Sequence, residues 1–205
     1  MASKFTLSNT EYALPETVEV DGSAFHINAS YRNILRILAM LQDDEVVESH
    51  RPALLCKWFY DVTPSNIDAA LNAFMDFLHR GDVQKDVDRS KPPSFDYEID
   101  APEVYASFVH LYGIDLLQTD MHWWRFSALL DGAFRTDCAL SEKVKLRNID
   151  ASKCEHPEDV RRAQAAIRIE TKQSRADQQV RDMLYDVLTS GGDVSAKLEA
   201  MKNGL

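Results

Sequence analysis

Long apolar runs are missing from this 205-residue chain. None approaches the roughly 20 residues that a helix needs to cross a bilayer, so the sequence predicts no membrane partner. The opening residues, MASKFTLSNTEY, lack the apolar core of a signal peptide, which predicts that the chain stays in the cytoplasm of the cell that makes it. Cysteine is scarce and odd in number. Cys56, Cys138 and Cys154 stand far apart, a pattern that excludes a disulfide framework and fits free thiols in a reducing compartment. Basic residues are also in short supply, 23 against 33 acidic ones, for a net charge of −10. Residues 1–100 hold 9 basic and 17 acidic residues and so carry most of that imbalance. Such a field repels phosphate backbones, which bind clustered Lys and Arg, and nucleic acid is not an expected partner. The arginines of the C-terminal part, among them Arg161, Arg162 and Arg168, alternate with Glu158, Asp159 and Glu170 and read as a solvated helix face.

Catalytic signatures are equally absent. The chain has no glycine-rich phosphate loop, no Gly-x-Ser-x-Gly, no His-Glu-x-x-His and no Cys-x-x-Cys. Cys154-x-His156, with Cys138 and His122, is the nearest approach to a zinc set, and its spacing matches no recognised zinc site. His110 and His122 read as hydrogen-bonded structural residues. The expectation is a non-enzymatic protein with no catalytic residue, no cofactor and no metal.

What is present is helical periodicity, preceded by one hairpin. Val18 and Val20, then Phe25 and Ile27, alternate on either side of Asp21-Gly22, the dipeptide favoured by primed hairpin turns. A ribbon of two strands is marginal alone, so it must pack on the helices or pair with another chain. Ser30 is placed to cap a helix with apolar positions Ile34, Leu35, Ile37, Leu38 and Leu41. Pro52 opens a short helix carrying Leu54, Leu55, Trp58 and Phe59, and Thr63-Pro64 begins another that holds Ile67, Leu71, Phe74, Met75 and Leu78. Residues 81–94, GDVQKDVDRSKPPS, read as a polar linker.

Residues 95–132 are the most distinctive stretch. Tyr105, Phe108, Val109 and Tyr112 follow helical spacing up to Gly113, a residue suited to the left-handed position after a helix. Asp115 reads as a turn cap. Thr119 then offers an N-cap for a helix with Met121, Trp124, Phe126, Leu129 and Leu130, for which Gly132 is a plausible stop. Neighbouring side chains on a helix point about 100° apart, so Trp123 and Trp124 must enter different surroundings, one as core and the other as core or recognition surface. A shorter helix with Val144, Leu146 and Ile149 runs to Asp150, and Pro157-Glu158-Asp159 starts a polar one with a thin seam of Val160, Ala163, Ile167 and Ile169. That polar helix needs a partner or projects from the body. Further helical patterns lie over Val180–Leu188 and Val194–Met201.

The runs YASFVHLYGIDL and MHWWRFSALLDG, followed by KVKLRNID and preceded by LPETVEVDGSAFHIN and YRNILRILAMLQD, resemble the bacteriophage gene-product-fifteen family of tail-morphogenesis proteins. The resemblance spans roughly residues 10–175. It implies a tail-assembly chaperone that keeps the hydrophobic tape-measure protein soluble while tube subunits polymerise around it, with the tape-measure protein as partner and the tube protein and a second copy of itself as further candidates. A structural minor tail or connector component is the main alternative, and a small metal-dependent enzyme a remote one. The expected architecture is mainly α: a helical body with a small N-terminal hairpin over 1–150 and a helical C-terminal extension over 151–205. The candidate partner-binding residues are Tyr105, Phe108, Tyr112, Met121, Trp123 and Phe126, aromatic and Met side chains suited to an adaptable groove.

Overall fold

The computed structural model describes residues 14–80 and 93–169, which form a mainly α-helical body with one β-hairpin. Strands β1 (Thr17–Val20) and β2 (Ser23–His26) pair antiparallel, with Val20 opposite Ser23. Asp21 and Gly22 both take positive φ, 49° and 76°, as the Asp-Gly turn predicts. The ribbon lies on its own chain. Asn66 donates to the Asp21 carboxylate at 2.8 Å, while Asn28 and Asp61 make backbone bonds across to Phe59 and His26.

Helices α1 (Tyr31–Gln42), α2 (Arg51–Phe59) and α3 (Ile67–Leu78) follow the hairpin, and α4 (Ala101–Tyr112), α5 (Trp123–Arg135) and α6 (Ala139–Asn148) make a second group. A line of aromatic rings joins the two. Phe59 meets Phe74 and Phe77 at 4.9 and 5.3 Å between centroids, and Phe77 stacks on Trp124 at 5.7 Å. On the other side of α5, Phe126 lies between Tyr31 and Phe108, nearly parallel to both, at 4.7 and 5.2 Å. These offset-stacked and edge contacts add directional attraction to the burial of large apolar surfaces, and they place the core at the seam between the two groups.

Several helix ends differ from the sequence reading. The Ser30 hydroxyl does not cap α1 but donates to Asp120 at 2.8 Å, and α3 is capped by Asn66, whose side chain accepts from the Ala69 N–H, rather than by Thr63. Thr119 does not cap α5. That helix begins three residues further on, where the ring of His122 accepts the Trp124 N–H at 3.0 Å. Gly113 ends α4 in the left-handed conformation, as expected. Gly132 does not end α5, which runs on to Arg135; a Cβ there would lie 2.7 Å from the Tyr112 hydroxyl, which donates to Leu129 O at 2.7 Å. The glycine makes room for α4.

Helix α7 (Pro157–Ala166) is short and docks on α6 instead of projecting. Arg147 of α6 donates from Nε to Ile167 O at 2.7 Å, and Gln164 of α7 donates from Nε2 to Leu146 O and Ile149 O, both at 2.8 Å. The remainder of the expected extension, the helical patterns beyond it and most of the expected linker lie outside the described residues.

Candidate partner-binding surface

Four of the six candidate contact residues are interior. Phe108, Met121, Trp123 and Phe126 are buried, and Tyr105 and Tyr112 are half-buried. The physical reason is that α5 is covered on several sides at once, by α3, by α1 with α4, and by α6, so its apolar stripe is wider than one core contact requires. Both tryptophans are core. Trp123 donates its indole N–H to Leu78 O at 3.0 Å and Trp124 donates to Phe77 O at 2.7 Å, so neighbouring indoles on α5 reach successive carbonyls at the end of α3. Trp58, the third indole, is half-buried with the Arg36 guanidinium 3.8 Å from its ring centre. In this conformation the expected aromatic and Met groove is filled by the chain itself.

The apolar surface left to a partner is smaller and lies beside it. On α4, Pro102, Ala106 and Val109 are exposed, spaced so that they share a face, and carry no charge. Leu117, 76% exposed, stands on the turn that follows. That turn is held firmly. Asp115 accepts the Leu117 N–H at 2.9 Å, as its turn-cap reading predicts, and Arg32 donates to Leu116 O and Leu117 O at 2.8 and 2.9 Å. Tyr105 and Tyr112 are the two candidate residues that keep some exposure on this helix.

The residues considered for a metal are not brought together. Cys138 is buried and bonds to Ala133 O, Cys154 lies near Asp150 O, and the two ring nitrogens of His122 are occupied by the Trp124 N–H and Pro15 O. Among the described residues no group of three or more His, Cys, Asp and Glu side chains is arranged to hold a metal ion. His122 accepts at Nδ1, so its proton sits on Nε2 and is donated to Pro15. Burial pushes its pKa below the ordinary value, the Pro15 bond and Glu16 only partly opposing it.

One charged cluster escaped the sequence reading. Asp100, fully buried at the N-cap of α4, receives two hydrogen bonds from Arg147, at 2.6 and 2.8 Å, one from the Asp96 N–H at 3.0 Å, and an ion pair from Lys143 at 3.0 Å. Lys143 also pairs with Glu103 at 2.8 Å. Burial alone would raise the Asp100 carboxyl, but the bonds from Arg147, Asp96 and Lys143 outweigh it and hold the group below its ordinary value. Asp100 and Arg147 are 47 residues apart, and no local pattern announces the pair.

Beside this cluster, the end of α6, helix α7 and residues 93–94 enclose a cleft of about 290 Å³ lined in part by Arg147, Arg161 and Arg168. The family described as Bacteriophage Gp15 protein matches residues 11–172. The chain belongs to that family. Every described element of this Gp15-family protein, from β1 to α7, falls inside the matched span, and so do the aromatic seam, the Asp100 cluster and the cleft. The chain matches no curated protein and no solved structure. Among the described residues no helix is long and apolar enough to cross a membrane.

Proposed function

We propose that this phage protein acts in tail assembly without enzymatic chemistry, as a chaperone that keeps the tape-measure protein soluble in the host cytoplasm while the tube is built. The observation that carries the reading is membership of the Bacteriophage Gp15 family over residues 11–172. A chaperone of this kind has to cover apolar helical surface reversibly. The uncharged outer face of α4, with Val109 and the neighbouring Leu117, offers such a partner an apolar strip, while the net charge of −10 keeps the complex soluble.

Co-expression with the tape-measure protein of the same phage tests the proposal. The expected result is a tape-measure protein that is soluble only with this chain, and finished particles from which this chain is missing. A Val109→Asp, Leu117→Asp double variant is expected to lose that effect while keeping its melting temperature, since both side chains are exposed. Unchanged solubility together with stoichiometric presence in particles overturns the chaperone reading in favour of a structural tail component.

A further inference from the structure

Three guanidinium groups line the cleft between α6 and α7, and they are not equivalent. Arg147 is committed: only 5% of its side chain is exposed, and it bonds to the Asp100 carboxylate, Ser94 O and Ile167 O. Arg161 pairs with Glu158 one helical turn away, but both side chains are largely exposed, at 57% and 78%, and such a pair is weak in water and easily exchanged. Arg168 is exposed and makes no hydrogen bond or ion pair among the described residues. Two exposed positive groups therefore line the cleft of a chain whose net charge is −10. The cleft's apolar lining comes from Pro93 and Ala165, both exposed, while Ile169 at its edge is buried, at 4% exposure. Gln164 is held on the end of α6 and cannot swing in to fill the space.

We propose that this cleft binds an acidic peptide segment of a partner protein, with carboxylates gripped by Arg161 and Arg168 and a neighbouring apolar side chain seated on Pro93 and Ala165. The planar guanidinium matches a carboxylate through two parallel hydrogen bonds, which gives geometric selection as well as charge. At about 290 Å³ the cleft exceeds a lone inorganic anion and has an apolar wall that such an ion leaves uncovered. A nucleic-acid backbone, whose binding rests on a longer run of clustered Lys and Arg, is not matched by two guanidinium groups. The cleft's choice of peptide does not depend on whether the chain also acts on a tape-measure protein.

The test is fluorescence anisotropy of the full-length chain with a labelled peptide of alternating Asp and Leu, against a matched peptide of Asn and Leu. Saturable binding of the acidic peptide is expected, weakened about tenfold or more by the double variant Arg161→Glu, Arg168→Glu. Both positions are exposed, so the variant is expected to melt with the wild type, and an Arg161→Lys, Arg168→Lys variant is expected to keep charge but bind less tightly than wild type. Equal binding of the Asn peptide, unchanged affinity in the Glu variant, full displacement by millimolar inorganic phosphate, or no saturable binding by the full-length chain each overturn the proposal.

Discussion

Arg147 and Gln164 cap each other's helices. The α6 arginine closes the end of α7 at Ile167 O, and the α7 glutamine closes the end of α6 at Leu146 O and Ile149 O. The last carbonyls of a helix have no partner within it, and here each helix supplies the donors that the other lacks. Gln164→Ala removes one half of the exchange. It is expected to cost about 1 kcal/mol and to act locally. Hydrogen exchange should show α7 amides losing protection while those of α4 and α5 keep theirs; uniform loss across all helices would show that α7 is not a separately opening unit.

The Asp100 cluster predicts an asymmetric response to mutation. Asp100→Asn leaves the Arg147 guanidinium buried without its charge partner and is expected to cost roughly 3–5 kcal/mol in denaturant titration. Pairing it with Arg147→Met is expected to recover part of that loss, because the buried cation goes as well. The carboxyl is held below its ordinary value of 3.8 in the fold, so its contribution is fully present above the unfolded-state value and is lost as pH falls from there through the folded one. The wild type should therefore lose stability below about pH 4 more steeply than Asp100→Asn. Parallel acid curves would contradict this.

The two indoles predict loss of the fold rather than loss of recognition. Trp123→Ala is expected to destabilise by about 3–5 kcal/mol, since it opens a cavity beside Phe126 and abandons the bond to Leu78. Trp123→Phe keeps most of the volume and is expected to cost about 1–3 kcal/mol. Thermal melts decide the matter, and an unchanged melting temperature for Trp123→Ala would return this side chain to the surface.

Features coded by neighbours in sequence were legible in it. The Asp21-Gly22 turn, the glycine after α4, the Asp115 turn and Pro157 opening α7 each depend on residues within a few positions of one another. The start of α5 was read too early because a histidine accepting at Nδ1 does the work usually assigned to Ser, Thr, Asp or Asn. Periodicity marked α5 as rich in apolar surface but could not show that four other helices would share it, so residues expected on a partner groove turned out to be core. The Asp100 cluster and the α6–α7 exchange depend on residues brought together from distant segments, which a local pattern does not encode. Gln164 in particular has no neighbour in sequence that sets it apart from the other polar residues of α7.

Tyr112 stands in the space that a side chain at position 132 would need. The two positions therefore share one volume, and 132 cannot grow unless 112 gives way. A descendant of this chain that gains even a methyl group at 132 must move or shorten the residue at 112, or pass through a poorly packed form on the way. The contact narrows the order in which mutations can accumulate, since a larger residue on α5 waits on a change on α4.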